Sequence, residues 1–128
     1  MKKQSSSKIG KVQLMRKAYA EKELDLFKSF FTDDILYKPG SIKEIRGPEA
    51  LLETLNEIFS PVIIKKMSPR GTWELEDVVI YDYDMEIMYT SDNKTVEFPC
   101  VDIFQFRDDK ISEWRVYPLH PSFIALKI

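Results

Sequence analysis

One cysteine and one histidine occur in 128 residues, and this scarcity sets the first limits. Cys100 alone cannot close an internal disulfide, and one thiol with one imidazole falls short of the usual zinc ligand set. No metal and no cofactor are expected. Charge of one sign is missing too: 19 Lys and Arg face 21 Asp and Glu, a formal balance of -2. Without a broad basic field, nucleic acid and anionic membrane are not expected as partners. No apolar run approaches the roughly 20 residues of a membrane span, and Met1 to Lys8 lacks the apolar centre of a secretory leader. The composition reads as a soluble protein of the reducing cytoplasm.

What is present is apolar and aromatic, at 44% and 12% of residues. A chain of this length forms one domain and buries roughly 68% of the surface it exposes when unfolded, enough for a core and a modest pocket. Residues 1–8 are polar and read as a frayed terminal tail, leaving 9–128 as the domain. From Ile9 to about Ala20, Val12, Met15, Ala18 and Tyr19 recur at helical steps. Leu24, Phe27, Phe30 and Phe31 repeat the spacing in a second, short helix, with Asp25 near its positive end. Ile35 to Tyr37 reads as a brief strand ended by Pro39-Gly40. Gly47-Pro48 opens a third helix whose stripe is Leu51, Leu52, Leu55, Ile58 and Phe59, stopped by Pro61.

Beyond Pro61 the pattern is sheet. Segments 62–67, 72–76, 78–90, 95–107 and 110–117 are rich in Val, Ile, Tyr, Phe and Trp and are divided by turn residues. Within 78–90, Tyr81, Tyr83, Met85, Ile87 and Tyr89 share one face, while Asp82, Asp84 and Glu86 share the other. The acidic row is spread too far along a strand to hold one ion, and basic side chains on a neighbouring strand are expected opposite it. Asp33-Asp34 reads as a helix-exit turn and Asp108-Asp109 as a hairpin turn. Helices followed by such a sheet give an α+β roll: the N-terminal helices pack in a strongly curved antiparallel sheet, forming a cone with an apolar pocket.

The segment Glu97 to Arg107, EFPCVDIFQFR, sets Cys100, Asp102, Phe104 and Phe106 on one side and Val101, Ile103, Gln105 and Arg107 on the other. Both sides contain apolar residues, so parity leaves Asp102 free to face either way. Inward, burial would disfavour its ionised form and make it a general acid and base near neutrality. Outward, it would be a solvated carboxylate beside Lys110 or Arg115.

The stretch CVDIFQFRDDKISEWRVYP, preceded by an N-terminal helix, FFTDDILYKPG and RGPEALLETL, resembles the SnoaL-like branch of the nuclear-transport-factor-2-like superfamily. The resemblance spans about Gln13 to Tyr117. It implies the cone fold, a pocket for a small hydrophobic ligand, and a homodimer formed through the outer sheet face. Ketosteroid isomerases of this superfamily carry a pocket aspartic acid two residues before a Phe-x-Phe pair, which implies an inward Asp102. Where their helical tyrosine and base aspartate fall, this chain has Met15 and Lys38 or Pro39. The epoxide-hydrolase tyrosine matches Tyr37, but Tyr83, Met85 and Val116 stand near the positions of its arginine and two aspartates.

The candidate pocket is therefore Tyr37, Trp73, Tyr83, Met85, Ile87, Cys100, Asp102, Phe104, Trp114 and Val116. Asp102 is placed as the proton-transfer group, with the Tyr37 and Tyr83 hydroxyls orienting a carbonyl. His120, beyond the last strand, is a further candidate if its segment folds over the cone mouth. The activity expected is cofactor-independent isomerisation, cyclisation or dehydration of an apolar carbonyl compound, and the alternative is a non-catalytic binding or dimerisation module. An open cavity reaching Asp102 would favour ligand chemistry; a cone filled by Tyr83, Met85 and Trp114 would favour a scaffold.

Overall fold

The computed structural model describes residues 7–40 and 43–119. The Ser7 hydroxyl accepts a hydrogen bond from the Gly10 amide at 2.9 Å and so caps helix α1 (Lys8–Ala20). Lys8, read from sequence as part of the tail, is the helix's first residue. Val12, Met15 and Ala18 form its buried stripe. Helix α2 (Leu24–Ser29) is shorter than its apolar run suggested. Phe31 instead begins strand β1 (Phe31–Pro39), because its backbone pairs with Ile111 on the last strand. Asp33 and Asp34 consequently belong to a strand and not to a helix exit. Both are exposed where the register of β1 shifts, and Asp34 takes a 2.7 Å ion pair from Arg107.

A two-residue strand β2 (Ile45–Arg46) leads into helix α3 (Pro48–Phe59), which buries Leu51 and Leu55. Gly47, at the head of α3, has φ +94°, and its amide donates to the Ile35 carbonyl at 2.9 Å. A Cβ there meets nothing closer than 3.8 Å, so only the backbone conformation forbids other residues. Gly47→Ala should lower the unfolding free energy by about 1 to 2 kcal/mol, read as a shifted denaturant midpoint at constant slope.

Four long strands follow: β3 (Val62–Leu75), β4 (Val78–Tyr89), β5 (Thr95–Arg107) and β6 (Lys110–Pro118). The sheet order is β2-β1-β6-β5-β4-β3. Neighbours run antiparallel except β1 and β6, which are parallel because α3 and the meander separate them in the chain. β3 was expected as two segments; it is one strand that runs through Pro69-Arg70-Gly71. It does so with register breaks between Ile64 and Lys66 and between Pro69 and Gly71. Each break is a β-bulge that bends the strand and switches which residues face inward.

The sheet's alternation is sharp. On β4, Val79, Tyr81, Tyr83, Met85 and Ile87 are buried, and on β5, Phe98, Cys100, Asp102, Phe104 and Phe106 are buried. The outer acidic row is balanced as expected from strand pairing: Arg70 reaches Asp82 at 2.8 Å and Asp84 at 2.6 Å, and Lys66 stands across from Glu86. The helices cover the concave face of the curved sheet, which makes the α+β roll.

The candidate pocket and its buried ion pair

Aromatic packing fixes the floor of the site. Phe27 meets Phe31 edge-on at 5.0 Å, Phe31 stacks on Trp114 at 6.1 Å, and Tyr37 and Phe104 flank the same indole at 5.0 and 5.1 Å. Such contacts leave the indole one orientation. Its Nε1 donates to Asp102 Oδ2 at 3.1 Å.

Asp102 faces inward and is 1% exposed. Three further groups meet its carboxyl: Arg16 Nη2 on Oδ2 at 2.7 Å, the Tyr83 hydroxyl on Oδ1 at 3.0 Å, and the Cys100 thiol on Oδ1 at 3.6 Å. Arginine and tryptophan can only donate, so Asp102 serves both as an acceptor. Sequence reading weighed the burial of this carboxyl without Arg16, whose guanidinium pairs with it. A carboxylate has about four lone-pair sites. Here each oxygen has two donors in reach.

Arg16 is the residue that sequence reading missed. It lies on the flank of α1, four residues after Val12 and three before Tyr19, and that helical spacing is the signal that could have found it. Its guanidinium carbon sits 5.2 Å from the rings of Tyr81 and Tyr83 and 5.7 Å from Phe104. Three rings and a carboxylate thus hold one cation. Burial works against the charge, but Asp102 and Tyr83 outweigh it, and the Arg16 pKa moves up.

The neighbouring hydroxyls and thiol are pushed the other way from reactivity. Burial first, then the negative Asp102, raises Tyr37 and Tyr83 well above the ordinary tyrosine range. The same two causes push the Cys100 thiol up to about 12. All three stay protonated at neutral pH, so the tyrosines can donate hydrogen bonds and Cys100 is no nucleophile.

These groups border a cavity of about 360 Å³, within the range of small-molecule sites. Of the ten residues expected to line it, Tyr37, Tyr83, Met85, Cys100, Asp102, Trp114 and Val116 do so. Trp73 does not: it is 50% exposed and lies over Gly71 on the outer face, across from Ile80. The bulge after Pro69 explains this, since it reverses the parity that would have carried Trp73 inward. Phe104 is buried behind the wall, against Trp114 and Arg16. Ile87 lines a smaller apolar recess of about 60 Å³ that shares Met85, Phe98, Ile58 and Phe59 with the main cavity. His120 lies outside the described residues. Ile64, across from Ile87, and Met67, turned inward by the first bulge, line the cavity and are still partly exposed, which marks a side where it meets solvent.

A curved sheet closed by helices around an apolar cavity, with one carboxylate in its wall, defines a cone-fold pocket protein. The sequence profile of the SnoaL-like domain matches residues 12–114, and the chain belongs to that family. No curated protein matches the chain in sequence. Among solved structures, it is similar to a candidate polyketide cyclase from Xanthomonas campestris pv. campestris, with 17% identity and TM-score 0.77 over 94% of this chain and 96% of that one. An LEH-like epoxide hydrolase from M. tuberculosis shares 19% identity at TM-score 0.69, over 86% and 80% of the two chains. A protein with a ketosteroid isomerase-like fold from Catenulispora acidiphila, in complex with trimethylamine, shares 12% at TM-score 0.72, over 84% and 83%. At such identities the likeness shows the fold, and the fold hosts several chemistries.

Proposed function

We propose that this protein binds a flat, apolar carbonyl compound in the cavity and transfers a proton on it without a cofactor, in an isomerisation, cyclisation or dehydration. The observation that carries this reading is an open apolar cavity whose wall contains one ion pair, Arg16–Asp102. A buried ion pair contributes little to stability compared with apolar residues of the same shape. Its placement against a cavity is better accounted for by ligand chemistry than by folding.

In this reading Asp102 takes the proton through Oδ1, where the 3.6 Å thiol contact is the weakest of the four and the one a substrate C–H displaces. Tyr37 orients the carbonyl by donating its phenolic proton. Asp102→Asn should keep the fold and ligand binding and remove turnover by at least about 100-fold. Turnover assayed across cyclic ketones, enones and polyketide-like diketones, with unchanged rates in the variant, would end the catalytic reading.

A second reading is favoured by a specific observation. Both carboxylate oxygens of Asp102 already have two donors, which suits a fixed anchor for the pocket wall as well as a base. Under that reading the protein binds and does not turn over its ligand. Asp102→Asn would then weaken binding and no substrate of the series would be consumed. We further propose that the protein works in a reducing cytoplasm, which the unpaired Cys100 suits, and as a homodimer. The half-buried apolar residues Ile80, Val101 and Ile103 of the outer sheet face support that pairing.

A further inference from the structure

We infer that Arg16 binds the substrate's carbonyl oxygen and exchanges Asp102 for the oxyanion that forms there; this deepens the proton-transfer reading above and rests on it. Arg16 has donors to spare. Among the described residues, Nη2 is committed to Asp102 at 2.7 Å, Nη1 meets the weak acceptor Met67 Sδ at 3.9 Å, and the buried Nε has no hydrogen-bond partner. Of the other donors beside Asp102, the Tyr83 hydroxyl and the Trp114 indole both point at its carboxyl, which leaves the neutral Tyr37 hydroxyl as the partner of Arg16 at the carbonyl oxygen. The flanking rings of Tyr81, Tyr83 and Phe104 keep the guanidinium at the cavity.

Charge fixes the role. Arg16 and Asp102 are the only Arg, Lys, Asp or Glu residues among the described residues lining the cavity, so the site begins neutral. When Asp102 accepts a proton from the carbon next to the carbonyl, an O–H bond forms as the C–H bond breaks. The C–H electron pair becomes the carbon–carbon double bond, and the carbonyl π pair moves onto oxygen. Asp102 is then neutral and Arg16 is left facing the new enolate, so the site stays neutral throughout. A preorganised cation of this kind stabilises charge only where it develops. The substrate class follows: an apolar skeleton carrying one enolisable carbonyl, with no permanent negative charge that would meet Asp102 before the reaction.

The experiment uses 2-naphthol, whose absorbance distinguishes phenol from phenolate, and 2-methylnaphthalene as its uncharged counterpart. Asp102→Asn imitates the protonated carboxyl, so its preference for naphtholate over naphthol should rise at least about tenfold above that of the unaltered protein. Asp102→Asn with Arg16→Met should lose that gain while binding 2-methylnaphthalene as the unaltered protein does. The double variant removes both charges of a buried pair, a change that folds tolerate. If Asp102→Asn is too unstable to measure, Asp102→Ser, small enough to admit water beside Arg16, replaces it. Naphtholate preference that survives Arg16→Met overturns the assignment of Arg16 and leaves the pocket standing. Failure of 2-methylnaphthalene to bind any form removes the pocket reading, and this inference with it.

Discussion

Replacing Asp102 by alanine should lower the unfolding free energy by about 3 kcal/mol, because it leaves a largely buried guanidinium and two N–H or O–H donors without their acceptor. The side chain of Arg16 is 23% exposed, so water reaches part of it and the loss falls at the lower end for a broken buried pair. Arg16→Met in the same chain should recover most of it, since no charge is then left unpaired. A double-mutant cycle in urea is therefore expected to give a coupling of about 2 kcal/mol between the two positions. Additive effects would mean that solvent, and not Asp102, stabilises Arg16. The same alanine should also relax Trp114 and Tyr83, which makes loss of ligand affinity a second readout alongside stability.

The other large effect is alkaline. Burial holds the Cys100 thiol at about 12, while in the unfolded chain it ionises near its ordinary value. From about pH 9 upward the unfolded state therefore loses a proton that the folded state keeps, and stability falls by about 1.4 kcal/mol per pH unit for that group. Tyr37 and Tyr83, both raised, add slopes of the same sign from about pH 10. Below pH 9 all three are protonated in both states and contribute no pH dependence. Three groups together remove about 4 kcal/mol per unit above pH 10, a large part of the stability of a domain this size. Urea titrations from pH 8 to 11 should show this fall. Tyr37→Phe and Tyr83→Phe should each remove about a third of the slope above pH 10, and Cys100→Ala the part beginning at pH 9. Constant stability between pH 9 and 11 would contradict the burial of these groups.

The acidic row of β4 shows why strand faces were legible in advance. A period of two separates Asp82, Asp84 and Glu86 from Tyr81, Tyr83 and Met85 whatever the rest of the chain does. Helix α3 was legible for a similar reason, with Pro48 at its start and Leu51 and Leu55 a turn apart. Trp73 was not legible, because one extra residue at a bulge reverses a face and nothing in the local pattern announces it. Phe30 and Phe31 continued the helical spacing, yet pairing of β1 with a strand some 80 residues later claimed Phe31. Local propensity gives way where a distant backbone offers hydrogen bonds.

The candidate site divides along the same line. Asp102 could be singled out from EFPCVDIFQF, but its direction could not, since both faces of that strand are apolar. Arg16 reads in sequence as one more base on a helix whose charged residues are all basic, and 86 residues separate it from its carboxylate. Composition and periodicity determined most of the helices and strands and part of the aromatic lining, because those depend on neighbours one to four residues away. Only the closing of the helices over the curved sheet brought a cation to a buried carboxylate and left a cavity beside them, because that meeting depends on the path of the whole chain.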